Sequence, residues 1–398
     1  MHRAWKDMAA MAAAGALSVA LLLSGCSSPT TGAGTPAAEK KDPIKIGAVL
    51  SLTGSYAGLG APEKNVLDME AKRLNDAGGI GGRPVEIIIV DDATDPAKAQ
   101  AAATRLIEQD KVVALIGATG TGQTMAMRGD VDRAGVPQLS VAGGTVITQQ
   151  FDKLVFQTPW SNTLVVPFTL KRLQKLGIKK IGVIADSGGF GKDGIAVIKA
   201  EAPKFGMTVT SEQSFNPGDT DMTGQLTKIK GSGAQAVVLW SAGKEAATVA
   251  KNLKQLNMGI PLVGSHGNAR KEFIEGAGDA AEGFTFAAGK ILVPAEYGEG
   301  TEGFKVATDF TKRYTEAYKT GPDTFAGHAY DAFWLLAGAL KSAGPDADAA
   351  KLRDAVEQTT GFVGIGGTFN FTATDHNGLT EADLVTYEVK NGAWVVQR

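Results

Sequence analysis

From Ile44 onward, short β-branched runs alternate with longer amphipathic stretches in which apolar residues recur every three or four positions. The short runs fall at 44–50, 85–90, 112–116, 138–140, 180–184, 207–210, 236–240 and 262–263, and read as strands. Between them, 62–75, 96–109, 122–133, 163–176, 191–205, 222–230 and 244–256 read as helices. Strand, helix, strand in repetition predicts an α/β chain with parallel sheets covered on both faces. Pro62 and Pro96 are expected in first helical turns, where a missing N–H costs nothing, with Asp95 capping the second. After about residue 290 the order changes: helical patterns at 302–318, 324–342 and 346–358 precede late strands at 368–371, 384–389 and 394–396. So many crossovers favour two sheets over one. The arrays 44–159 and 160–289 have similar length and order, which predicts two lobes of like topology with a cleft between them.

The start of the chain follows a different pattern. Arg3, Lys6 and Asp7 precede an apolar stretch over 8–23, the layout of a secretory signal. It closes on Leu23-Ser24-Gly25-Cys26, which resembles a lipobox: cleavage before Cys26 and diacylglyceryl transfer to its thiol would anchor the chain outside the cytoplasm by lipid. Residues 27–43 are Ser, Thr, Gly, Pro, Ala and charge without apolar period. They read as a tether with a root-mean-square reach of about 20–25 Å. Cys26 is the single cysteine, which excludes an intrachain disulfide. No later window approaches 18 apolar residues, so nothing else is expected to cross a bilayer. A formal net charge of −2 offers no basic field, which argues against nucleic acid as a partner.

Two glycine-rich loops stand out. Gly117-Ala118-Thr119-Gly120-Thr121-Gly122-Gln123-Thr124 follows an apolar strand and opens a helix, one residue away from a phosphate-binding loop, with Gln123 where the lysine belongs. Its unpaired N–H groups and positive dipole end still suit a carboxylate. Ser140-Val141-Ala142-Gly143-Gly144-Thr145 has the same character, and both loops lie at carboxyl ends of strands, where open α/β sheets bind ligands. Trp160, Phe190 and Trp240 sit at equivalent strand ends and are expected to wall a cleft. The histidines are His2, His266, His328 and His376, with no metal-binding spacing, and His328 with Asp331 reads as a packed pair. No nucleophile elbow is present. The chain is therefore expected to be a binding protein without metal or cofactor, not an enzyme.

These residues carry a resemblance over 44–398. Ile46-Gly47-Ala48-Val49-Leu50-Ser51-Leu52-Thr53-Gly54, the glycine-rich stretch 75–82, Asp91-Asp92-Ala93-Thr94-Asp95-Pro96, Ile116-Gly117, Pro137-Gln138-Leu139-Ser140, Ala329-Tyr330-Asp331-Ala332 and Asp375-His376-Asn377-Gly378 stand in the order found in the leucine-binding-protein family. That family comprises substrate-binding proteins of ABC importers for branched-chain amino acids and amides. The resemblance implies a type I periplasmic binding protein: two Rossmann-like lobes joined by three hinge strands and closing on a ligand. It divides the chain into 1–25 (signal peptide), 26–43 (lipidated cysteine and tether), an N-terminal lobe of 44–159 plus about 290–362, and a C-terminal lobe of 160–289 plus about 363–398. Thr121 then matches the hydroxyl residue on the ligand carboxylate, and Ala142, Gly143 and Gly144 the backbone segment doing the same, with Thr145 one position beyond the family's threonine. Tyr56, Phe190 and Trp240 match aromatic wall positions. His266 stands where amino-acid binders place a glutamate. A histidine cannot pair with an α-ammonium, so the expected ligand keeps a carboxylate but lacks that ammonium, unless Glu245 or Asp186 stands in for the missing acid. The implied partners are an ABC permease and, through the lipid, a membrane, with the protein acting as a monomer. A ligand-sensing module coupled to a receptor and a secreted hydrolase remain the alternatives.

Overall fold

The computed structural model describes residues 42–397. The expected signal peptide, the lipidated Cys26 and the tether up to residue 41 lie outside the described residues.

The first array forms five parallel strands in the order β2-β1-β3-β4-β5. They are β1 (Ile44–Leu50), β2 (Val85–Asp91), β3 (Ala114–Gly117), β4 (Gln138–Ser140) and β5 (Val155–Gln157), linked by α1 (Ala57–Asp76), α2 (Pro96–Glu108), α3 (Thr121–Ala134) and α4 (Val146–Gln149). Every residue of β1 except Lys45 is buried, as a central strand covered on both faces requires. Asp95 caps α2 by accepting from the Ala97 and Lys98 N–H groups, with Pro96 in the first turn. Pro62 departs from expectation: α1 begins at Ala57, so Pro62 lies inside the helix, and the helix starts a turn earlier than its proline signalled.

The second array begins with α5 (Asn162–Lys175) and continues through β6 (Lys180–Asp186), α6 (Gly189–Glu201), β7 (Thr208–Phe215), α7 (Thr223–Gly231), β8 (Ala236–Trp240), α8 (Glu245–Gln255), β9 (Leu262–Gly264), α9 (Lys271–Ala277) and β10 (Thr285–Ala288). The chain then runs through α10 (Glu302–Tyr318), α11 (Thr324–Ala343) and α12 (Ala349–Glu357). It ends in a small hairpin of β11 (Phe362–Val363) and β12 (Thr368–Phe369), then β13 (Val385–Lys390) and β14 (Ala393–Gln397). The last two join the second sheet, whose order is β14-β13-β10-β9-β8-β6-β7. Strands β6 to β10 are parallel, and β13 and β14 are antiparallel additions at one edge.

Helix α11 returns to the first sheet, packing along α1 and against β3 and β4. It is buried almost throughout, with Phe333, Leu336 and Leu340 in the same core as Ile46, Leu67 and Ile116. In each sheet the strand order reverses once, between β1 and β3 in the first and between β6 and β8 in the second. Loops leaving the carboxyl ends of strands diverge at such points and leave a crevice.

Candidate ligand-binding site

One small cavity, of about 20 Å³, is lined by loops from both switch points. The first sheet contributes Tyr56 after β1, Thr119 to Thr121 after β3, Val141 to Gly143 after β4 and Pro159 after β5. The second contributes Phe190 after β6, Ala242 after β8, and His266 and Gly267 after β9. Leu59 on α1, and Phe325 and His328 on α11, complete the wall.

Local hydrogen bonds explain how these groups are aimed. Asp91 accepts from the Leu52 and Ala93 N–H groups and the Thr53 hydroxyl, which folds the turn after β1 back on β2. Thr94 Oγ1 then accepts from the Tyr56 N–H and fixes the tyrosine at the start of α1. The hydroxyls of Thr124 and Ser140 lie 3.0 Å apart and tie the first turn of α3 to the end of β4. Gln157 Nε2 donates to the carbonyls of Ala142 (2.7 Å) and Gly144 (3.0 Å), and the Asn162 N–H donates to the Gly143 carbonyl (3.1 Å). Three successive carbonyls are thus engaged, while the Gly143 N–H, on the cavity wall, is not. Among the described residues nothing accepts from it. Gly120 occupies the N-cap of α3, whose first-turn N–H groups have no intrahelical partners.

Two glycines are sterically required here. A Cβ on Gly143 would lie 2.2 Å from His266 Nε2, and one on Gly144 would lie 2.3 Å from Thr121 Cγ2. The first contact joins loops of the two sheets, so the cavity is shut.

No charged side chain lies on this wall. Several neutral polar groups on it have unfilled capacity: Thr121 Oγ1, both ring nitrogens of His266, one donor and one acceptor, and Nδ1 of His328 are buried without partners among the described residues. Burial pushes both imidazoles down to about 3, so both are uncharged at neutral pH. Burial, with Asp186 and Glu245 nearby, holds the Tyr56 phenol well above its ordinary range and keeps it a neutral donor. The two carboxylates considered as stand-ins are not on the wall. Glu245 accepts from Ser55 Oγ and the Gly218 N–H, and Asp186, raised to about 6 by burial, accepts from the Gly188 N–H.

Of the residues read from the sequence, Tyr56, Thr121, Ala142, Gly143, Phe190 and His266 meet at the cavity. Gly144, Thr145, Trp160 and Trp240 stand one layer back. Trp240 stacks behind Phe190 (6.3 Å between centroids) and donates to Asn162 Oδ1. Trp160 lies edge-on to His328 (5.1 Å) and donates to the Gly366 carbonyl. The Thr145 N–H donates to Asp193 instead of facing the cavity. His328 was missed as a wall residue: Asp331, read as its partner, accepts from the Ile365 and Gly366 N–H groups and leaves the ring free to face inward. The signal available was spacing, since Phe325 and His328 are three apart and share a helix face.

Two α/β units whose switch-point loops meet around a shared, buried wall define a type I periplasmic binding protein. The chain matches the family described as "Periplasmic binding protein" over residues 43–393 and belongs to it, within the leucine-binding group. It is 26% identical over 350 residues to the Leu/Ile/Val-binding protein homolog 3 of Brucella melitensis, covering 87% of this chain and 91% of that one. An extracellular ligand-binding receptor from Rhodopseudomonas palustris HaA2 superposes with a TM-score of 0.84 at 28% identity, over 89% of this chain and 99% of that chain. A solute-binding protein from R. palustris in complex with benzoate gives a TM-score of 0.77 at 25% identity, over 89% and 95%. The family makes this chain an extracytoplasmic solute-binding protein. No helix among the described residues is long and apolar enough to cross a membrane.

Proposed function

We propose that this chain is the substrate-binding lipoprotein of an ABC importer, held to the membrane through Cys26 and its tether. It would trap a small carboxylate that lacks an α-ammonium and deliver it, as a monomer, to a permease. The observation that carries the ligand class is the wall itself: neutral polar groups without partners and no acid. A carboxylate offers only acceptors, and Thr121 Oγ1, the Gly143 N–H, the first turn of α3 and an imidazole N–H supply what it needs. An α-ammonium would be buried with no counter-charge, at a cost of several kcal/mol. Phe190, Phe325 and Leu59 suit an aliphatic or aromatic remainder. The benzoate complex of the R. palustris relative supports this class.

In this reading the lobes are 44–159 with about 290–362, and 160–289 with about 363–398, hinged where the chain passes between the sheets. Ligand touches loops of both and so favours the closed form. Shifting a rare closed state to dominance takes a differential affinity of about 5 kcal/mol. The second reading is a branched-chain amino acid, favoured by the name of the Brucella relative, with Asp186 or Glu245 reaching the ammonium through a small shift of Tyr56. Calorimetry with leucine against its deaminated analogue 4-methylpentanoate separates the two. Tighter binding of the analogue is expected, and tighter binding of leucine would refute the proposed ligand class.

A further inference from the structure

The unfilled capacity at the two histidines has a consequence for how an acid enters. A neutral imidazole carries one N–H donor and one lone pair. A carboxylate can take the N–H but has nothing to offer the lone pair. His266 has neither ring nitrogen satisfied, and His328 Nδ1 is also unpartnered. An anion alone would therefore leave basic nitrogens bare in a buried space and would also bring an uncompensated charge into a wall that has none. One proton supplies the counter-charge and turns one of the two lone pairs into a donor.

We propose, resting on the carboxylate reading above, that the cavity takes its ligand as an acid equivalent: each anion enters with one proton from solution, shared between the ligand and the imidazoles of His266 and His328. Phe190 and Trp240 flank His266 at 5.2 and 6.2 Å between centroids, and Trp160 and Phe325 flank His328 at 5.1 and 5.8 Å. These T-shaped rings keep water from both imidazoles, so a charge brought in beside them needs a partner within the cavity. The other ionisable neighbours are Tyr56 across the cavity, Arg270 beyond the His266 turn, Asp186 and Glu245 behind Tyr56, and Glu63 beneath Thr119. Arg270 donates to the Ala242 carbonyl behind the wall and feels Glu272, Asp323 and Glu245, burial raises the Glu63 carboxyl well above its ordinary range, and none of these groups lies on the wall itself. Burial in the closed cavity disfavours a charge on either imidazole, so a proton held there depends on the ligand's own charge.

The test is titration calorimetry on the full chain with benzoate and with 4-methylpentanoate, in phosphate and in Tris, whose ionisation heats differ. The expected result is uptake of about one proton per acid bound, with affinity falling about tenfold per pH unit between about pH 6 and pH 8. Replacing both imidazoles, H266Q with H328Q, should abolish the uptake and flatten the pH profile of whatever binding remains. The buffer dependence of the unaltered protein decides the matter even if that variant does not fold. An acid that binds with the same affinity across this range and without proton uptake overturns the coupling and leaves the ligand class standing. If neither acid binds at any pH while leucine does, the ligand class itself fails and the coupling falls with it.

Discussion

Asp193 gives the sharpest test of closure, because it lies outside the cavity yet bonds across it. Its carboxylate, on α6, accepts from the N–H groups of Thr145 (2.7 Å) and Val146 (3.2 Å), which follow β4 of the other sheet, and from Asn162 Nδ2 (2.6 Å). The first two bonds connect loops of the two sheets, and under the proposed lobe closure they form only in the shut state. Each hydrogen bond to a charged group is worth about 1.5–3 kcal/mol. In an open form the same carboxylate and N–H groups bond to water, so the part specific to closure is about 2 kcal/mol. Asp193→Ala should therefore raise Kd about thirtyfold. Asp193→Asn, which keeps an acceptor but loses the charge, should fall between the two.

The assay pairs calorimetric Kd with thermal unfolding of the ligand-free protein. A latch specific to closure raises Kd and leaves the ligand-free Tm close to that of the parent. The reasoning is refuted if Kd stays within about twofold while Tm drops, since the bonds would then hold the fold and not the closed state.

Gly143→Ala places a methyl 2.2 Å from His266 Nε2. It should cost at least about a hundredfold in Kd, by preventing full closure, with circular dichroism unchanged. Stability of the ligand-free protein should fall as pH rises from 6.5 to 8, followed by denaturant unfolding. Burial raises Asp331 to about 8 and Asp323 to about 7 from an ordinary 3.8, so the folded state holds protons that the unfolded chain has released. The opposite contribution of His266 and His328, lowered to about 3, is complete once pH passes their ordinary 6.5. The slope per group is at most about 1.4 kcal/mol per pH unit, and Asp331→Asn should flatten the part above pH 7.

Much of the frame was legible because buried parallel strands are apolar throughout: β1, β3, β6 and β8 announced themselves in that way. Not every strand gave that signal. The three-residue β5 was not read, although β4 and β9, equally short, were. β7 runs on to Phe215 through Ser211, Glu212, Gln213 and Ser214, because an edge strand needs little apolar content. β10 and α9 were not separated from the surrounding chain, since their definition comes from partners far away in sequence. At the site, the loops after β3 and β4 could be read because glycine beside a strand end has few other uses. The wall residues on α11 could not, since which face of a fully buried helix meets a cavity is decided by packing against α1 and the first sheet. The tryptophans were placed at the right strand ends, but one layer too far forward. An indole that fills the space behind a phenyl or imidazole ring, as Trp240 does behind Phe190, contributes shape and not contact.

The contact between His266 and Gly143 links selectivity to motion. Of the imidazole atoms Nε2 comes nearest to the opposite loop, so under the proposed closure any side chain longer than histidine at 266, or any side chain at 143, would hold the lobes apart. A glutamate at 266 would add a carboxylate at that contact, facing the Gly143 N–H, and would compete with a ligand carboxylate for the same donor. The neutral ring avoids that competition. It fills the gap, leaves the Gly143 N–H and Thr121 hydroxyl to the ligand, and keeps the closed but empty cavity uncharged, so that closing around nothing leaves buried donors unsatisfied. In the proposed mechanism that penalty, relieved by an acceptor of the right size, makes closure conditional on the ligand.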